Sequence, residues 1–321
     1  MAEYGNRDQL RLMTVASRLY HERGVRQRDI ATQLGVSQPR VSRLLQQAED
    51  QGIIRTVVVA PEGIYPEPEE ALEDSYKLRE CHVVEVFGGD EAMPRELGVA
   101  AARYLGETTL WGPRVGYTSW SSTLREMARE IGFVRRPGVT HVVEMLGDLG
   151  APLLQHEAGR ATLQLARALG AEPVLLRTPG VLATPALRDA VLRDAHVGRA
   201  LHMLDELDLA FVGVGPADFH GPLREGDNFF SAEQLAAVRA AGAVGQLDQR
   251  FIDADGDPVM TPLDDLVVAI SHAQLREART RVVVAGGTSK WEPLHAALRG
   301  GWVDVLVTDL ASARYLISHA D

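Results

Sequence analysis

The residues best suited to chemistry in this chain lie in three stretches where an expected strand runs into glycines or hydroxyl side chains. In Gly116-Tyr-Thr-Ser-Trp-Ser-Ser-Thr-Leu124, Thr118, Ser119, Ser121, Ser122 and Thr123 stand at the entrance to a helix. Hydroxyls and exposed amides there can hold a phosphate or carboxylate without a full positive charge, although ordinary helix capping accounts for at least one of them. In Val212-Gly-Val-Gly215, Gly213 and Gly215 allow close approach of a ligand, but the full glycine pattern and acidic partner of a dinucleotide fingerprint are missing. Ala285-Gly-Gly-Thr-Ser-Lys290 brings Lys290 after a glycine turn, without the spacing or following hydroxyl of a Walker loop. Gln246 and Asp248 are further polar candidates after the strand around Gly245. Asp309 opens the last helix, either as a helix-end acid or as a group that accepts sugar hydroxyls or pairs with Lys290.

Other chemistries find less support. Asp253, Asp255 and Asp257 resemble a calcium loop only superficially, because no bidentate glutamate follows at the required distance, so a solvent-facing turn is expected. The ten histidines form no recognisable metal-ligand set, and the single cysteine, Cys81, excludes a disulfide framework or a cysteine-rich metal site. No metal or cofactor is expected. Asp248 or Asp309 as acid or base, with Lys290 as an electrostatic group, gives an enzyme reading; the spacing alone shows no compelling catalytic constellation.

A second chemistry sits near the start of the chain. In Gln27 to Ala48, Ile30, Ala31 and Leu34 repeat at helical spacing and stop at Gly35, and Ser37 then offers a cap for a helix carrying Val41, Leu44 and Leu45. This is a helix-turn-helix pattern, with glycine for the tight corner. Gln38, Arg40, Ser42, Arg43 and Gln46 point outward from the second helix and can donate to phosphates or base edges. Gln27, Arg28 and Ser37 belong to the same candidate DNA face, and Arg55 sits where a wing would touch a phosphate. The apolar, β-branched run Ile53 to Val59 would form that wing.

Charge is distributed accordingly. Residues 1–57 carry nine arginines against six acidic residues, while the whole chain of 321 residues has a net charge of -11, so the remainder carries -14. A basic head on an acidic body suits local contact with DNA by the head alone. Neither a membrane-spanning apolar run nor a secretory signal pattern is present, and the expected location is the cytoplasm.

Helical spacing over 8–22 precedes the helix-turn-helix, and Pro61, Gly63, Pro66 and Pro68 mark a boundary. The expected divisions are a DNA-binding domain at 1–59, a linker and connecting helix at 60–80, and an effector-binding and oligomerisation domain at 81–321. From about residue 81, strands and helices alternate, with strands expected at 82–87, 109–117, 139–146, 173–176, 209–214, 266–270, 281–285 and 303–307. An extended excursion is expected at 244–252. The fold class is α/β, with a mostly parallel sheet covered by helices on both faces. Ligands of such sheets bind outside the carboxyl ends of the strands.

Together these stretches resemble the SorC/DeoR-type bacterial sugar-binding transcriptional regulators over nearly the full chain. The resemblance is carried by Ile30-Ala-Thr-Gln-Leu-Gly-Val-Ser37, Arg40-Val-Ser-Arg-Leu-Leu45, Gly213-Val-Gly215, Gly242-Ala-Val-Gly245 with Phe251 and Asp253 to Gly256, Ala285-Gly-Gly287 with Lys290, and Val307-Thr-Asp309 with Ser312-Ala313. It implies an N-terminal (winged) helix-turn-helix domain followed by a larger Rossmann-like effector domain related to sugar-phosphate isomerases and deaminases. It also implies a homodimer or homotetramer on double-stranded operator DNA, with a sugar, polyol or sugar phosphate controlling affinity. Trp120-Ser-Ser-Thr123 looks like the family's effector loop, with Ser121 where glycine is usual and one residue more back to Gly116. The alternatives are a sugar-phosphate enzyme with an appended DNA-binding head and a purely architectural DNA-binding protein.

Overall fold

The computed structural model describes residues 2–54, 60–61, 63–108, 112–134, 138–218 and 228–320. The chain divides into two compact units, Met1–Pro61 and Glu62–Asp321.

The smaller unit is helical. Helix α1 (Ala2–Ser17) runs into a π-helical turn at Arg18–Glu22, followed by α2 (Gln27–Leu34) and α3 (Gln38–Asp50). Ala16, Leu19, Ile30, Ala31, Val41 and Leu45 make its main core, beside a smaller cluster of Met13, Leu44 and Ala48. Gly35 ends α2 at φ 65°, a left-handed conformation that favours glycine; no atom lies within 4 Å of an added Cβ, so the dihedral and not the space selects it. Ser37 occupies the N-cap position of α3, but its hydroxyl makes no capping bond. Pro39 has no N–H to offer at the second helical position, and the Arg40 N–H instead donates to the Ser37 carbonyl at 2.9 Å. Ile53 and Ile54 fold back so that both N–H groups donate to the Ala48 carbonyl. The remainder of the expected wing, including Arg55, falls outside the described residues.

The larger unit is built on seven parallel strands: β1 (Glu80–Val84), β2 (Arg114–Tyr117), β3 (His141–Glu144), β4 (Glu172–Val174), β5 (Leu209–Val212), and two later strands. A small antiparallel sheet intervenes in sequence, with β6 (Val214–Pro216), β7 (Gly245–Leu247) and β8 (Arg250–Ile252) in spatial order. The main sheet closes with β9 (Arg281–Val284) and β10 (Val305–Asp309), in the order β1-β10-β9-β5-β2-β3-β4.

Strand alternation sorts the core between two faces. Val142, Phe211, Val282, Val284, Val305 and Val307 pack with helices α5 (Met93–Glu107), α6 (Ser122–Glu130) and α7 (Pro152–Leu169). Their neighbours Val143, Ala210, Val212, Val283 and Leu306 join the opposite cluster. With both faces covered, the strands read as continuous apolar runs. Helix α4 (Pro66–Tyr76) belongs to this second layer through the fully buried Leu72. It is thus an integral part of the larger unit, within the stretch expected as linker and connecting helix. Short helices α8 (Pro185–Leu192) and α9 (Ala195–His202) follow β4, α10 (Ala232–Ala240) precedes β7, α11 (His272–Glu277) precedes β9, and α12 (Trp291–Arg299) and α13 (Leu310–Ser318) complete the chain.

Two expected strands differ. The run 209–214 breaks at Gly213: β5 stays in the main sheet and Val214 leaves to pair with Leu247 in the small one. The run 266–270 is not a strand. A 3-10 turn at Pro262–Leu266 gives way to isolated bridges from Val267 to Val181 and from Ala269 to Leu146. The apolar character of this run reflects burial without a ladder.

The strand order places a switch point at the centre. From β2, the chain builds outward through β3 and β4 on one side, while β5, β9, β10 and β1 lie on the other. The crevice between the carboxyl ends of β2 and β5 is where such a sheet accommodates a ligand.

Candidate functional site

A cavity of about 630 Å3 opens at that crevice. Thr118 follows β2, and its N–H donates to the Phe211 carbonyl at 3.1 Å, extending the contact between the two central strands. Its hydroxyl lies against Asp248, at the tip of the β7–β8 hairpin. Asp248 and Gln249, the two residues of that tip, have φ of 49° and 64°. A two-residue turn with both residues left-handed matches the twist of a hairpin; aspartate is tolerated at its first position, whereas glycine usually fills the second, and Gln249 there costs roughly 1–2 kcal/mol. The turn places both side chains at the cavity wall. The Gln246 side-chain carbonyl accepts the Gln249 N–H at 2.9 Å and fixes the turn.

Gly213 and Ser121 meet across the crevice. A Cβ on Gly213 would lie 3.1 Å from that of Ser121, so the glycine after β5 makes room for the loop after β2. Ser121 is the N-cap of α6 and its hydroxyl accepts the Leu124 N–H. On the next strand, Lys290 ends the 3-10 turn Thr288–Lys290 after β9 and lines the same cavity.

Burial pushes Asp248 up to about 7, opposed by the Thr118 hydroxyl and the positive charge of Arg250. Burial likewise lowers the Lys290 ammonium from its ordinary value. Among the described residues, no carboxylate forms an ion pair with Lys290. Arg250 is withdrawn from the cavity, buried and paired with Asp264 at 2.9 Å.

The cavity brings together Thr118, Ser121, Ser122, Gly213, Gly215, Gln246, Asp248 and Lys290, which the sequence places in four separate stretches. Ser119 and Thr123 are buried beside it without lining it. Asp309 is elsewhere. One carboxylate oxygen accepts the Ala311 and Ser312 N–H groups at the start of α13, and the other accepts the Gly287 N–H and the Ser312 hydroxyl. Four donors satisfy it, so it serves as the helix-end acid and pairs with no lysine. Sequence reasoning missed Arg125 and Gln249, and it gave no separate role to Trp120 or Ser289 within the stretches it singled out; all four line the cavity. Arg125 was legible in principle, because it stands four residues after Ser121 and therefore on the same face of α6.

In the smaller unit, α3 buries Val41, Leu44, Leu45 and Ala48 and exposes Gln38, Arg40, Ser42 and Arg43. Arg28 and Ser37 are also exposed, and Gln27 is half-buried. No acidic partner ties down Arg40 or Arg43 among the described residues, whereas Arg28 lies 3.7 Å from Asp29. A helix that presents two unpaired arginines, a glutamine and a serine beside a glycine corner has the donors to meet both phosphates and base edges.

Comparison with known proteins gives the same division. Residues 66–318 match the family described as "Putative sugar-binding domain", and residues 13–62 match the MarR family. The chain is 30% identical over 315 residues to the deoxyribonucleoside regulator of Bacillus subtilis, covering 98% of this chain and 99% of that protein. It is similar to the full-length sorbitol operon regulator SorC of Klebsiella pneumoniae, with a TM-score of 0.73, 26% identity, and coverage of 97% and 99%. It is also similar to the sugar-binding domain of the transcriptional regulator DeoR from Pseudomonas syringae pv. tomato, with a TM-score of 0.63, 30% identity, and coverage of 79% and 100%. These relatives are named as regulators, not enzymes. With a helix-turn-helix head and a parallel α/β body that match along nearly their full length, the chain belongs to the SorC/DeoR-type family of sugar-binding transcriptional regulators.

Proposed function

We propose that the protein acts in the cytoplasm as a homodimer or homotetramer on operator DNA, and that a small sugar, polyol or sugar phosphate in the cavity at the β2–β5 crevice controls its affinity. The observation that carries this reading is the convergence of Thr118, Asp248 and Lys290, from three separate loops, on one cavity at the switch point of the sheet. Two heads would meet the two halves of a near-symmetric site, with Arg40 and Arg43 dividing between phosphate and base contacts and Gln38 and Ser42 assisting. Gln27, Arg28 and Ser37 would support the approach to the backbone, as would Arg55 from the segment after Ile54.

Effector control requires unequal affinity of the ligand for the DNA-competent state and its alternative. A cavity walled by loops after β2, β5 and β9 and by the small sheet registers their relative placement, which is a physical basis for such inequality. Fluorescence-anisotropy titration on the protein's own upstream DNA, repeated with phosphorylated and neutral sugars, tests the reading. Specific binding whose affinity shifts with one compound is expected. Binding without sequence preference in a competition assay would instead leave an architectural role.

A further inference from the structure

We propose that the effector is an aryl glycoside: its sugar ring occupies the polar end of the cavity, and its aromatic substituent occupies a second, apolar subsite made by Trp120, Leu146, Leu154 and Arg125. The inference deepens the regulator reading and rests on it.

The length of the cavity sets the first constraint. Its wall draws on the loops that follow four neighbouring strands, with Lys290 after β9, Gly213 after β5, Thr118 after β2 and Leu146 after β3. Hydrogen-bonded strands lie about 4.8 Å apart, so the carboxyl ends from β9 to β3 span about 14 Å. A single sugar ring fills only part of that length. Most of the wall is apolar, and hydroxyls pressed against it would lose water without gaining partners.

The two ends differ in chemistry. At the β9 end and the hairpin tip stand Lys290, Asp248 and Gln249, which suit the hydroxyls of a sugar. Toward β3, Trp120 and Leu146 belong to one apolar cluster, and Leu154, in the first turn of α7, packs against it. Arg125 lies on this side, since Glu157 of α7 is among the charges that act on it. Its Nη1 donates to the carbonyls of Ser119 and Trp120 at 3.3 and 3.2 Å, which holds the guanidinium beside the Trp120 loop.

Those groups select the substituent. An aromatic ring buries its carbon against the leucines and the indole and offers its face to the arginine cation. A second sugar ring or a nucleobase would bring donors and acceptors that need partners at this end. The polar side chains bordering it are engaged: Asp218 is paired with Arg239 at 3.0 Å, and the Gln155 amide donates to the Gly150 carbonyl at 2.8 Å.

The test uses the full-length protein and phenyl and 4-nitrophenyl glycosides of the common hexoses and pentoses in both anomers. The matched methyl glycosides, free sugars, sugar phosphates, disaccharides and nucleosides, and phenol alone, complete the panel. Calorimetric titration measures affinity, and fluorescence anisotropy on the protein's upstream DNA measures the response. One aryl glycoside is expected to bind at least about tenfold more tightly than its methyl glycoside and to shift operator affinity. Leu154→Asp is expected to abolish that preference while the methyl glycoside stays within about twofold. An acid suits the third residue of a helix, and Leu154→Gln takes its place if the first variant does not melt cooperatively. The proposal is overturned if a free sugar, sugar phosphate, disaccharide or nucleoside binds more tightly than every aryl glycoside. It is also overturned if phenol binds as tightly as the glycoside, if both Leu154 variants keep the preference, or if the bound glycoside leaves operator affinity unchanged. A compound without an aryl group that binds more tightly and shifts operator affinity leaves the regulator reading standing. Absence of binding across the whole panel overturns both.

Discussion

The Thr118 hydroxyl lies 2.8 Å from one carboxylate oxygen of Asp248 and 2.9 Å from the other, although the two residues are 130 apart in sequence. This contact fastens the end of a central strand to the tip of a strained hairpin. It places a buried acid, raised to about 7, in the wall of a ligand cavity.

Asp248 makes stability depend on pH in a defined direction. Its carboxyl ionises near the ordinary aspartate value of 3.8 when the chain is unfolded and at about 7 when folded. Between those values the folded protein binds more protons, so Asp248's contribution is full below about pH 4 and is lost as pH rises through about 7, with a slope of at most about 1.4 kcal/mol per pH unit. Asp248→Asn removes that slope. Melting temperatures of both proteins from pH 4 to 8 provide the check: the difference between them should move in favour of the variant as pH rises, and a constant difference would show that Asp248 titrates normally.

Arg43→Ala is expected to lower operator affinity about tenfold while the larger unit melts unchanged, because Arg43 projects from the exposed face of α3. Anisotropy titrations at several salt concentrations also identify the kind of contact. A shallower salt dependence marks a phosphate contact, and a relaxed sequence preference marks a base contact. Unchanged affinity at every salt concentration would remove Arg43 from the interface.

Lys290→Ala is expected to weaken the response to an anionic effector about tenfold or more and to leave effector-free DNA binding within about twofold. The ammonium has no carboxylate partner among the described residues, so its removal disturbs no internal ion pair. Equal effector affinity in calorimetric titrations of the two proteins would defeat the assignment.

Asp309→Ala should behave in the opposite way. It removes a helix cap and leaves the buried Gly287 N–H without its carboxylate partner, for a loss of roughly 2–4 kcal/mol of stability, while effector affinity of the folded fraction stays unchanged. Denaturant titration and calorimetry on the same samples separate the two effects. Reduced effector affinity with unchanged stability would return Asp309 to the ligand site.

The parallel sheet was legible because its strands are buried on both faces, and the three valines at 282–284 are apolar without alternation. The helix-turn-helix was legible from Gly35 and from the spacing of Val41, Leu44 and Leu45. The break at Gly213 was not, because an apolar run gives no sign of the residue at which it changes sheets. Nor was the misplacement of Asp309 in the site: a helix-capping acid and a ligand-binding acid look the same in sequence, and only its four donors tell them apart. Arg125 carried one faint signal, its spacing of four from Ser121, among the alternating charges of α6. Its distinction comes from the carbonyls of Ser119 and Trp120, which only the folded loop supplies.

The order of parts along the chain has a consequence in time. The helical head is a compact unit complete by Pro61, whereas the cavity needs Lys290, some 230 residues later. At a synthesis rate of roughly 5–20 residues per second, about 10–50 s separate the two on the ribosome. During that interval a nascent chain carries a finished DNA-reading module with no pocket to govern it, so sensing is acquired last.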